Sequence, residues 1–325
     1  MQRFGHYVLK QRLGRGGMCE VFRARREDAH AGTPDVALKF LMPELQGDPR
    51  AVELFRKEVE ISVRLGHPNV VQVYEHGLVD GVVAFLAMEL LDGPDLAELQ
   101  QAAFRQGLAL GLPLSLHICI QALRGLDHAH TLTGPGGVPL GLVHRDISPD
   151  NLFCTLAGAV KVADFGIAKL SALEGFTDPR FGLKGKLAFM APERARGEPV
   201  DARSDQFSMG LILYELCTGV RPYRSQPSEP MEALMRRVAS GDVPRARKIH
   251  QEIPKGLDAA IMRALDPRPR GRFRSCAEFA DELEAIMRRE HLPAASNELK
   301  VLIEELYPAG YQRVMPNVAG PVPLP

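Results

Sequence analysis

HRDISPDN fills residues 144–151, and the chain continues to DFG at 164–166 and APE at 191–193. Any one of these short stretches could arise by chance. All three on one chain, in this order and at this spacing, indicate a single kind of site. The residues upstream of them decide what that site could bind.

A glycine-rich stretch, GRGGMCEV at residues 14–21, lies between two strand patterns. Glycine lets backbone amides approach phosphate oxygens closely, which favours a phosphate-binding turn. Alone it is weak evidence, because glycine-rich hairpin turns are common. The Walker pattern of a glycine-rich loop ending in Gly-Lys-Ser/Thr is absent, so the sequence does not support a P-loop NTPase.

Lys39 ends an apolar strand pattern, VALK at residues 36–39. One interpretation is an edge-strand lysine whose ammonium group reaches water. The other comes from a helix predicted at about 50–65, where Glu58 interrupts the apolar stripe formed by Leu54, Ile61 and Leu65. A buried carboxylate needs a cationic partner, and Lys39 is the nearest upstream candidate.

With the glycine loop, VALK, HRD, DFG and APE in order, the chain resembles the eukaryotic-type (Hanks-type) serine/threonine protein kinase family, in a form similar to its bacterial members. The resemblance covers about residues 7–288. It implies an ATP-dependent protein kinase that moves the γ-phosphoryl group of Mg-ATP to serine or threonine hydroxyls of proteins, including itself. ATP and Mg²⁺ are the implied cofactors, and protein substrates the implied partners.

The resemblance assigns catalytic roles residue by residue. Asp146 would accept the proton of the incoming hydroxyl, and Asn151 and Asp164 would ligate Mg²⁺, a hard cation that prefers oxygen ligands. Lys39, held by Glu58, would bind the α- and β-phosphates. Phosphoryl transfer depends more on positioning and charge neutralisation than on covalent help, which suits this set.

The resemblance also implies a nucleotide-binding set. Three glycines would arch over the phosphates, two apolar residues would lie above the adenine, one residue would guard the pocket behind it, the backbone of two more would hydrogen-bond its edge, and one would close the site from below. In that order they are Gly14, Gly16 and Gly17; Val21 and Ala37; Met88; Glu89 and Leu91; and Phe153.

Two further residues match structural positions of the family. Asp205 resembles the helix aspartate that anchors the catalytic loop. Glu193 of the APE stretch would pair with Arg270, and the pair would be structural rather than catalytic.

Three residues depart from the family pattern. Cys19 takes the third glycine position, which the motif places near solvent. Ser148 replaces the usual lysine two residues after Asp146, and Lys186 replaces the usual threonine of the activation segment. The last two indicate an exchange in which Lys186 supplies the cation beside Asp146; the alternative is a solvated Lys186 and a site that works without this charge.

A regulatory site is predicted in the same segment. Arg145 precedes Asp146, an arrangement that in this family often accompanies control by phosphorylation of the activation segment. Between Asp164 and Glu193 the only hydroxyl side chains are Ser171 and Thr177. A phosphate on Thr177 could pair with Arg145, so we expect autophosphorylation there; the alternative is a constitutively ordered segment.

The expected fold is α+β, the bilobal protein-kinase fold, with a small β-rich N-lobe at 1–91, a mostly helical C-lobe at 92–289 and a tail at 290–325. Strands are predicted at Tyr7–Leu9, Val21–Arg25, Val36–Phe40, Val70–Tyr74 and Val82–Met88. Helical spacing marks Leu114, Ile118, Ala122, Leu126 and Ala129, and again Phe279, Leu283 and Ile286. The tail carries a short amphipathic helix from Ser296, as N-cap, to Leu306, with Leu299, Leu302 and Ile303 on its apolar face.

The composition excludes several other classes. Forty basic residues balance forty acidic ones, which gives no electrostatic reason to expect nucleic acid. No apolar run is long enough to span a membrane. Five cysteines without paired spacing fit a reducing compartment, so we expect a cytoplasmic protein. His128 and His130 have no third ligand at metal spacing and are expected to be structural.

Two competing functions remain. A catalytically inactive kinase-like scaffold would usually lack Lys39, Asp146 or Asp164, and this chain keeps all three. A small-molecule phosphotransferase of related fold would lack the APE stretch at 191–193.

Overall fold

The computed structural model describes residues 2–15, 18–165, 187–226, 228–293 and 295–312. Their contacts divide them into two compact units. The first contains the described residues up to Asp92 together with Gln312, and the second contains 93–165 and the described part of 187–311.

The first unit is an antiparallel sheet with one long helix beside it. The strands lie in the order β1-β2-β3-β4-β6-β5. They are β1 (Gln2–Phe4), β2 (Tyr7–Arg15), β3 (Cys19–Arg26), β4 (Val36–Leu41), β5 (Val73–Val79) and β6 (Val83–Glu89), and the helix is α1 (Pro49–Ser62). One face of the sheet is packed with aromatic rings: Phe4 and Phe22 both stack on Phe40, at 4.4 and 5.5 Å between ring centres.

The strand predictions hold for four strands, β2, β3, β4 and β6, and differ for the two others. Strand β1 was not predicted, and the strand expected at Val70–Tyr74 lies at Val73–Val79. Strand β5 is at the edge of the sheet, and its residues alternate between half-buried and exposed. An edge strand buries little, so its hydrophobic pattern is weak.

Helix α1 starts after Asp48, whose side chain accepts a hydrogen bond from the Arg50 N–H at 2.8 Å. Its buried side chains are Ala51, Phe55, Glu58 and Val59. Of the apolar members of the predicted stripe, Leu65 is buried, whereas Leu54 and Ile61 are only half-buried. The Phe55 ring, which was not in the predicted stripe, is fully buried. Glu58 belongs to both stripes and is buried as expected.

Cys19 was predicted near solvent, and this was wrong. It is 6% exposed and belongs to an apolar cluster with Leu41, Phe55, Val59 and Leu86. The reason is its register: Cys19 lies opposite Leu41 at the start of β3, on the face that α1 covers.

The second unit is mostly helical, with one short hairpin. Its helices are α2 (Leu96–Arg105), α3 (Leu112–His130), α4 (Pro192–Ala195), α5 (Ala202–Thr218), α6 (Met231–Ser240), α7 (Ala246–Ile249), α8 (Lys255–Ala264), α9 (Cys276–Arg289) and α10 (Ser296–Leu306), and the hairpin pairs β7 (Leu152–Cys154) with β8 (Val160–Val162). Helix α3 packs against α5 and α9. Both helical stripes predicted from spacing are buried, as residues such as Ile118, Leu126 and Leu283 show with no exposed surface.

The tail helix α10 is present where it was predicted, and Leu299, Ile303 and Leu306 are buried. Its N-cap position is held by Ala295, one residue before the predicted Ser296. In the described part of the chain, none of the helices combines the length and apolar character that crossing a membrane requires.

Candidate active site

The HRDISPDN stretch forms a tight loop that brings an amide onto a carboxylate. A 3-10 turn at Pro149–Asn151 folds Asn151 back, and its side-chain nitrogen donates to the backbone oxygen of Asp146 at 2.6 Å. The same nitrogen lies 3.3 Å from Oδ2 of Asp146. Two side chains predicted to share one site are therefore adjacent.

Asp205 anchors this loop from helix α5. Its two carboxylate oxygens accept the backbone N–H groups of His144 and Arg145, both at 2.8 Å, and Oδ2 also contacts Nε2 of His130 at 2.8 Å. Burial alone would raise the pKa of Asp205, but the hydrogen bond from His130 and the nearby imidazoles outweigh it and leave the pKa below its usual value. His130 thus has a partner within the protein.

The loop and the DFG stretch are tied through their backbones. The N–H of Ala163 donates to the Asn151 oxygen at 2.9 Å, and Nε2 of His144 donates to the Ala163 oxygen at 2.9 Å. The rings of His144 and Phe165 lie 4.7 Å apart. These contacts fix the backbone on both sides of Asp164, whose side chain is exposed.

Two residues of these stretches have left-handed backbone conformations. Arg145 has φ 65° and Asp164 has φ 55°. Such conformations are unfavourable for residues other than glycine and persist where surrounding contacts hold them, which happens most often at functional sites. At Arg145 the contacts are visible: its N–H bonds to Asp205 and its carbonyl accepts from Arg194.

In the first unit, Lys39 and Glu58 form the predicted pair. The Lys39 ammonium lies 2.6 Å from Oε1 of Glu58, and the two side chains are 11% and 6% exposed. Lys39 sits in β4 opposite Val21 on one side and Leu86 on the other. The edge-strand interpretation is therefore wrong, because β4 is flanked by strands on both sides.

The predicted adenine-binding residues of this unit line three neighbouring strands. Ala37 is the register partner of Met88, and Val21 is that of Gly14. The N–H of Glu89 donates to the Gln72 oxygen at 2.8 Å. Leu91 follows the end of β6.

Four of the predicted residues lie outside the described part of the chain. They are Gly16 and Gly17 of the glycine loop, and Thr177 and Lys186 of the activation segment.

The predicted pair of Glu193 with Arg270 was wrong, because the partner is Arg272. Arg272 meets Glu193 with two nitrogens, at 2.7 and 2.8 Å, and Ser204 donates to the same carboxylate at 2.6 Å. Arg270 lies in an exposed 3-10 turn at Pro269–Gly271. The chain turns inward only after this turn, so the arginine two residues later is the one that reaches the interior.

Sequence reasoning missed Arg194, which follows the APE stretch. Its guanidinium donates to the backbone oxygen of Arg145, directly before Asp146. Burial lowers the pKa of Arg194, and the charge of Asp146 acts in the opposite direction. The two arginines and Asp146 line a small pocket together with Met190. A basic residue that follows the short run FMAPE was the available signal.

Ser148 is buried, 2% exposed, and its hydroxyl has no hydrogen-bond partner among the residues that the structure describes. An unsatisfied buried hydroxyl is unusual and calls for an explanation. It lies in the same loop as Asp146 and Asn151, where the family usually carries a lysine.

No group of three or more His, Cys, Asp or Glu side chains within the described ranges could hold a metal ion. An amide oxygen and a carboxylate, as Asn151 and Asp164 provide, nevertheless fit Mg²⁺, which binds through few protein ligands and completes its shell with water and phosphate oxygens.

Comparison with known proteins gives consistent results. The protein kinase domain family matches residues 7–307. Tyrosine-protein kinase MasK of Myxococcus xanthus is 40% identical over 293 residues, which are 90% of this chain and 44% of MasK. Serine/threonine-protein kinase PknB of Mycobacterium tuberculosis is 31% identical over 325 residues, 98% of this chain and 48% of PknB. The chain thus spans less than half the length of these curated relatives.

Among solved structures, the PknI kinase domain of Mycobacterium tuberculosis matches with a TM-score of 0.61 and 30% identity, covering 87% of this chain and 97% of that one. This match confirms the predicted fold class, the α+β protein-kinase fold.

Proposed function

Because the chain belongs to the protein kinase domain family, we propose that it is an ATP-dependent protein kinase that phosphorylates serine or threonine hydroxyls of proteins. The observation that carries the proposal is the loop in which Asn151 holds Asp146 and Asp205 holds the preceding backbone. A loop fixed from both sides can keep a proton acceptor in place at the nucleophile.

In the proposed reaction, the substrate hydroxyl oxygen attacks the γ-phosphorus of ATP. The bond from the γ-phosphorus to the β,γ-bridging oxygen breaks and ADP leaves. The hydroxyl proton passes to Asp146. Asp146→Asn should lower kcat about 10²–10⁴-fold, the range for a positioned general base.

We assign the nucleotide contacts to the residues that match the family. Lys39, oriented by Glu58, would bind the α- and β-phosphates. Gly14, Gly16 and Gly17 would cover the phosphates, and the adenine would lie among Val21, Ala37, Met88, Glu89, Leu91 and Phe153. Nucleotide binding is then the task of residues 1–91, catalysis and substrate binding that of 92–289, and 290–325 forms the tail.

Asn151 and Asp164 would hold Mg²⁺, which when bound neutralises phosphate charge. We place the reaction in the cytoplasm, where ATP is abundant.

A direct test uses the purified chain with radiolabelled ATP and a basic protein as substrate. Transfer is expected with the unaltered chain and none with Lys39→Met or Asp164→Asn. An inactive unaltered chain would support the scaffold alternative, and full activity of Asp164→Asn would remove the Mg²⁺ assignment.

The hydroxyl class needs its own measurement, because one relative is named a tyrosine kinase and another a serine/threonine kinase. We propose serine and threonine. Acid hydrolysis of the labelled product should yield phosphoserine and phosphothreonine. Labelled phosphotyrosine alone would overturn this part of the proposal.

We further propose that Lys186 supplies the cation that the family normally carries at the position of Ser148. Charge spreads over the equatorial oxygens of the phosphoryl group in the transition state, so a cation nearby stabilises it. The buried hydroxyl of Ser148 supports the idea, since this position cannot supply that charge.

The exchange is testable by a double-mutant cycle. Lys186→Thr should cripple kcat with little change in KM for ATP, and adding Ser148→Lys should restore much of the loss. Strict additivity, or normal turnover of Lys186→Thr, would favour a solvated Lys186.

Finally, we propose autophosphorylation at Thr177, with the phosphate pairing with Arg145. Self-association of two copies would allow it. Phosphosite mapping before and after incubation with Mg-ATP should detect it, and full activity of Thr177→Ala would show that the switch is not used.

A further inference from the structure

The segment from Ala295 to Tyr311 belongs to the second unit and packs against its helices α2 and α3. The apolar face of α10 is buried, with Leu299 and Ile303 at 0% and 1% exposure, and the helix packs against α3 and α2. Two tyrosines follow it, and the rings of Tyr307 and Tyr311 meet edge to face at 5.2 Å. The segment therefore ends in a defined position beside α2.

The hydroxyl of Tyr311 reaches the cap of α2. It donates to Oε2 of Glu98 at 2.7 Å, and the same oxygen accepts the backbone N–H of Asp95 at 3.1 Å. In return, the Glu98 N–H donates to the Asp95 carboxylate at 2.9 Å. This is a capping box, in which two helix-end donors are satisfied reciprocally. Tyr311 thus holds Glu98 in the conformation that the box requires.

The capped end of α2 is in turn bonded to the hairpin. Asp95 forms an antiparallel bridge with Phe153, and the Cys154 N–H donates to the Pro94 oxygen at 2.8 Å. At Gly93 a Cβ atom would lie 1.9 Å from the backbone oxygen of Cys154, so the two backbones touch where only glycine fits. The backbone position of β7 consequently depends on residues 93–95.

We propose that the segment 295–311 positions the nucleotide site, with Tyr311 acting through Glu98 and Asp95 on Phe153. The inference rests on the proposed function, which places Phe153 under the adenine. Tyr311 touches no substrate and is a positioning residue. Its hydrogen bond has a charged acceptor, the stronger class of hydrogen bond, so its loss should loosen the box.

The test is Tyr311→Phe in the full chain, titrated with a fluorescent ATP analogue. The dissociation constant should rise about threefold to tenfold. This estimate assumes that only part of the energy of one charge-assisted hydrogen bond is lost from nucleotide binding. KM for ATP should rise in parallel, while kcat at saturating ATP changes less than about twofold. Tyr307→Phe is the matched control, because among the described residues the Tyr307 hydroxyl reaches only a backbone oxygen, at 3.5 Å. The affinity of this variant should stay near that of the unaltered chain.

A second set of variants tests the route through Glu98. Glu98→Gln keeps an oxygen that can serve in the box and should bind the analogue nearly normally, whereas Glu98→Ala should weaken binding at least as much as Tyr311→Phe. If Tyr311 acts through Glu98, adding Tyr311→Phe to Glu98→Ala should cause no further loss. Hydrogen exchange of the amides of residues 93–98 and 152–154 should rise in Tyr311→Phe.

The outcomes separate the two proposals. An unaltered chain that does not bind the analogue would remove the proposed function. An unaltered chain that binds it, together with a Tyr311→Phe chain that binds equally well or an additive double variant, would overturn only the positioning role.

Discussion

Each of the two compact units buries a basic side chain against a glutamate, and the two ion pairs are built differently. In the first unit, the Lys39 ammonium lies 2.6 Å from one oxygen of Glu58, with 11% and 6% of the side chains exposed. In the second, Arg272 meets both oxygens of Glu193 at 2.7 and 2.8 Å, with 0% and 1% exposed.

Arg272 has two more hydrogen-bond acceptors inside the protein besides Glu193. It also donates to the backbone oxygens of Arg203 and Asp266, at 2.8 and 2.9 Å, and its guanidinium lies 4.8 Å from the centre of the Phe207 ring. A planar guanidinium group whose hydrogen bonds go to acceptors within the protein is suited to stabilising the fold. An ammonium group on a flexible stem can follow a ligand while keeping its glutamate. The difference supports the proposal that the first pair binds nucleotide, while the second pair holds the fold.

The largest expected effect comes from removing the cation of the first pair. Lys39→Met should reduce phosphoryl transfer to background, because it removes the side-chain cation proposed to bind the α- and β-phosphates. Circular dichroism should show that the fold is retained. A Lys39→Met chain that transfers phosphate normally would contradict the functional half of the comparison.

Removing the cation of the second pair should instead destabilise the folded protein. Arg272→Met leaves the Glu193 carboxylate buried without its charge partner, which should lower the free energy of unfolding by about 3–5 kcal/mol. Urea unfolding followed by circular dichroism measures it. Arg270→Met, at the residue originally predicted as the partner, is the control and should change stability by less than about 0.5 kcal/mol, as an exposed residue does. Equal stability of Arg272→Met and the unaltered chain would contradict the structural half.

The sequence predicted both partners of the first pair, but only Glu193 of the second, and the reason is physical. Lys39 and Glu58 each sit in a regular element, where periodicity tells which side chains face inward. Arg272 follows a 3-10 turn rich in Pro, Arg and Gly, and such a turn has no period from which direction can be deduced. The capping box of Asp95 and Glu98 was readable in principle, but its bond to Tyr311 joins residues 213 positions apart and leaves no local signal.

Exchanging lysine and arginine within each pair should have smaller effects that still distinguish the two pairs. Arg272→Lys keeps the charge but loses the planar guanidinium. Some of the four oxygen atoms that accept hydrogen bonds from Arg272 would then lose their donor, so we expect the free energy of unfolding to fall by about 1–3 kcal/mol. Lys39→Arg should leave stability nearly unchanged and reduce kcat/KM, because the larger planar head no longer fits the phosphates. Stability loss in Lys39→Arg exceeding that in Arg272→Lys would reverse the assignment of the two pairs.

The smallest expected effect is a pH dependence of stability that belongs to the second pair. Burial alone would raise the pKa of Glu193, but the hydrogen bonds and charge of Arg272, with the bond from Ser204, outweigh it and leave the pKa below its usual value. A carboxyl group whose pKa is lower in the folded than in the unfolded chain contributes stability above its unfolded pKa, near pH 4, and loses that contribution as the pH falls through its folded pKa.

The free energy of unfolding, measured by urea at a series of pH values from neutral to acid, should therefore decline on acidification. In Arg272→Met the decline should shrink or reverse, because burial without the arginine favours the protonated carboxyl group. Glu193→Gln, made both in the unaltered chain and in Arg272→Met, serves as the control. It removes the titrating group, so the pH dependence of stability should no longer differ between those two chains. Parallel curves for the unaltered chain and Arg272→Met would show that the acid sensitivity arises elsewhere in the protein.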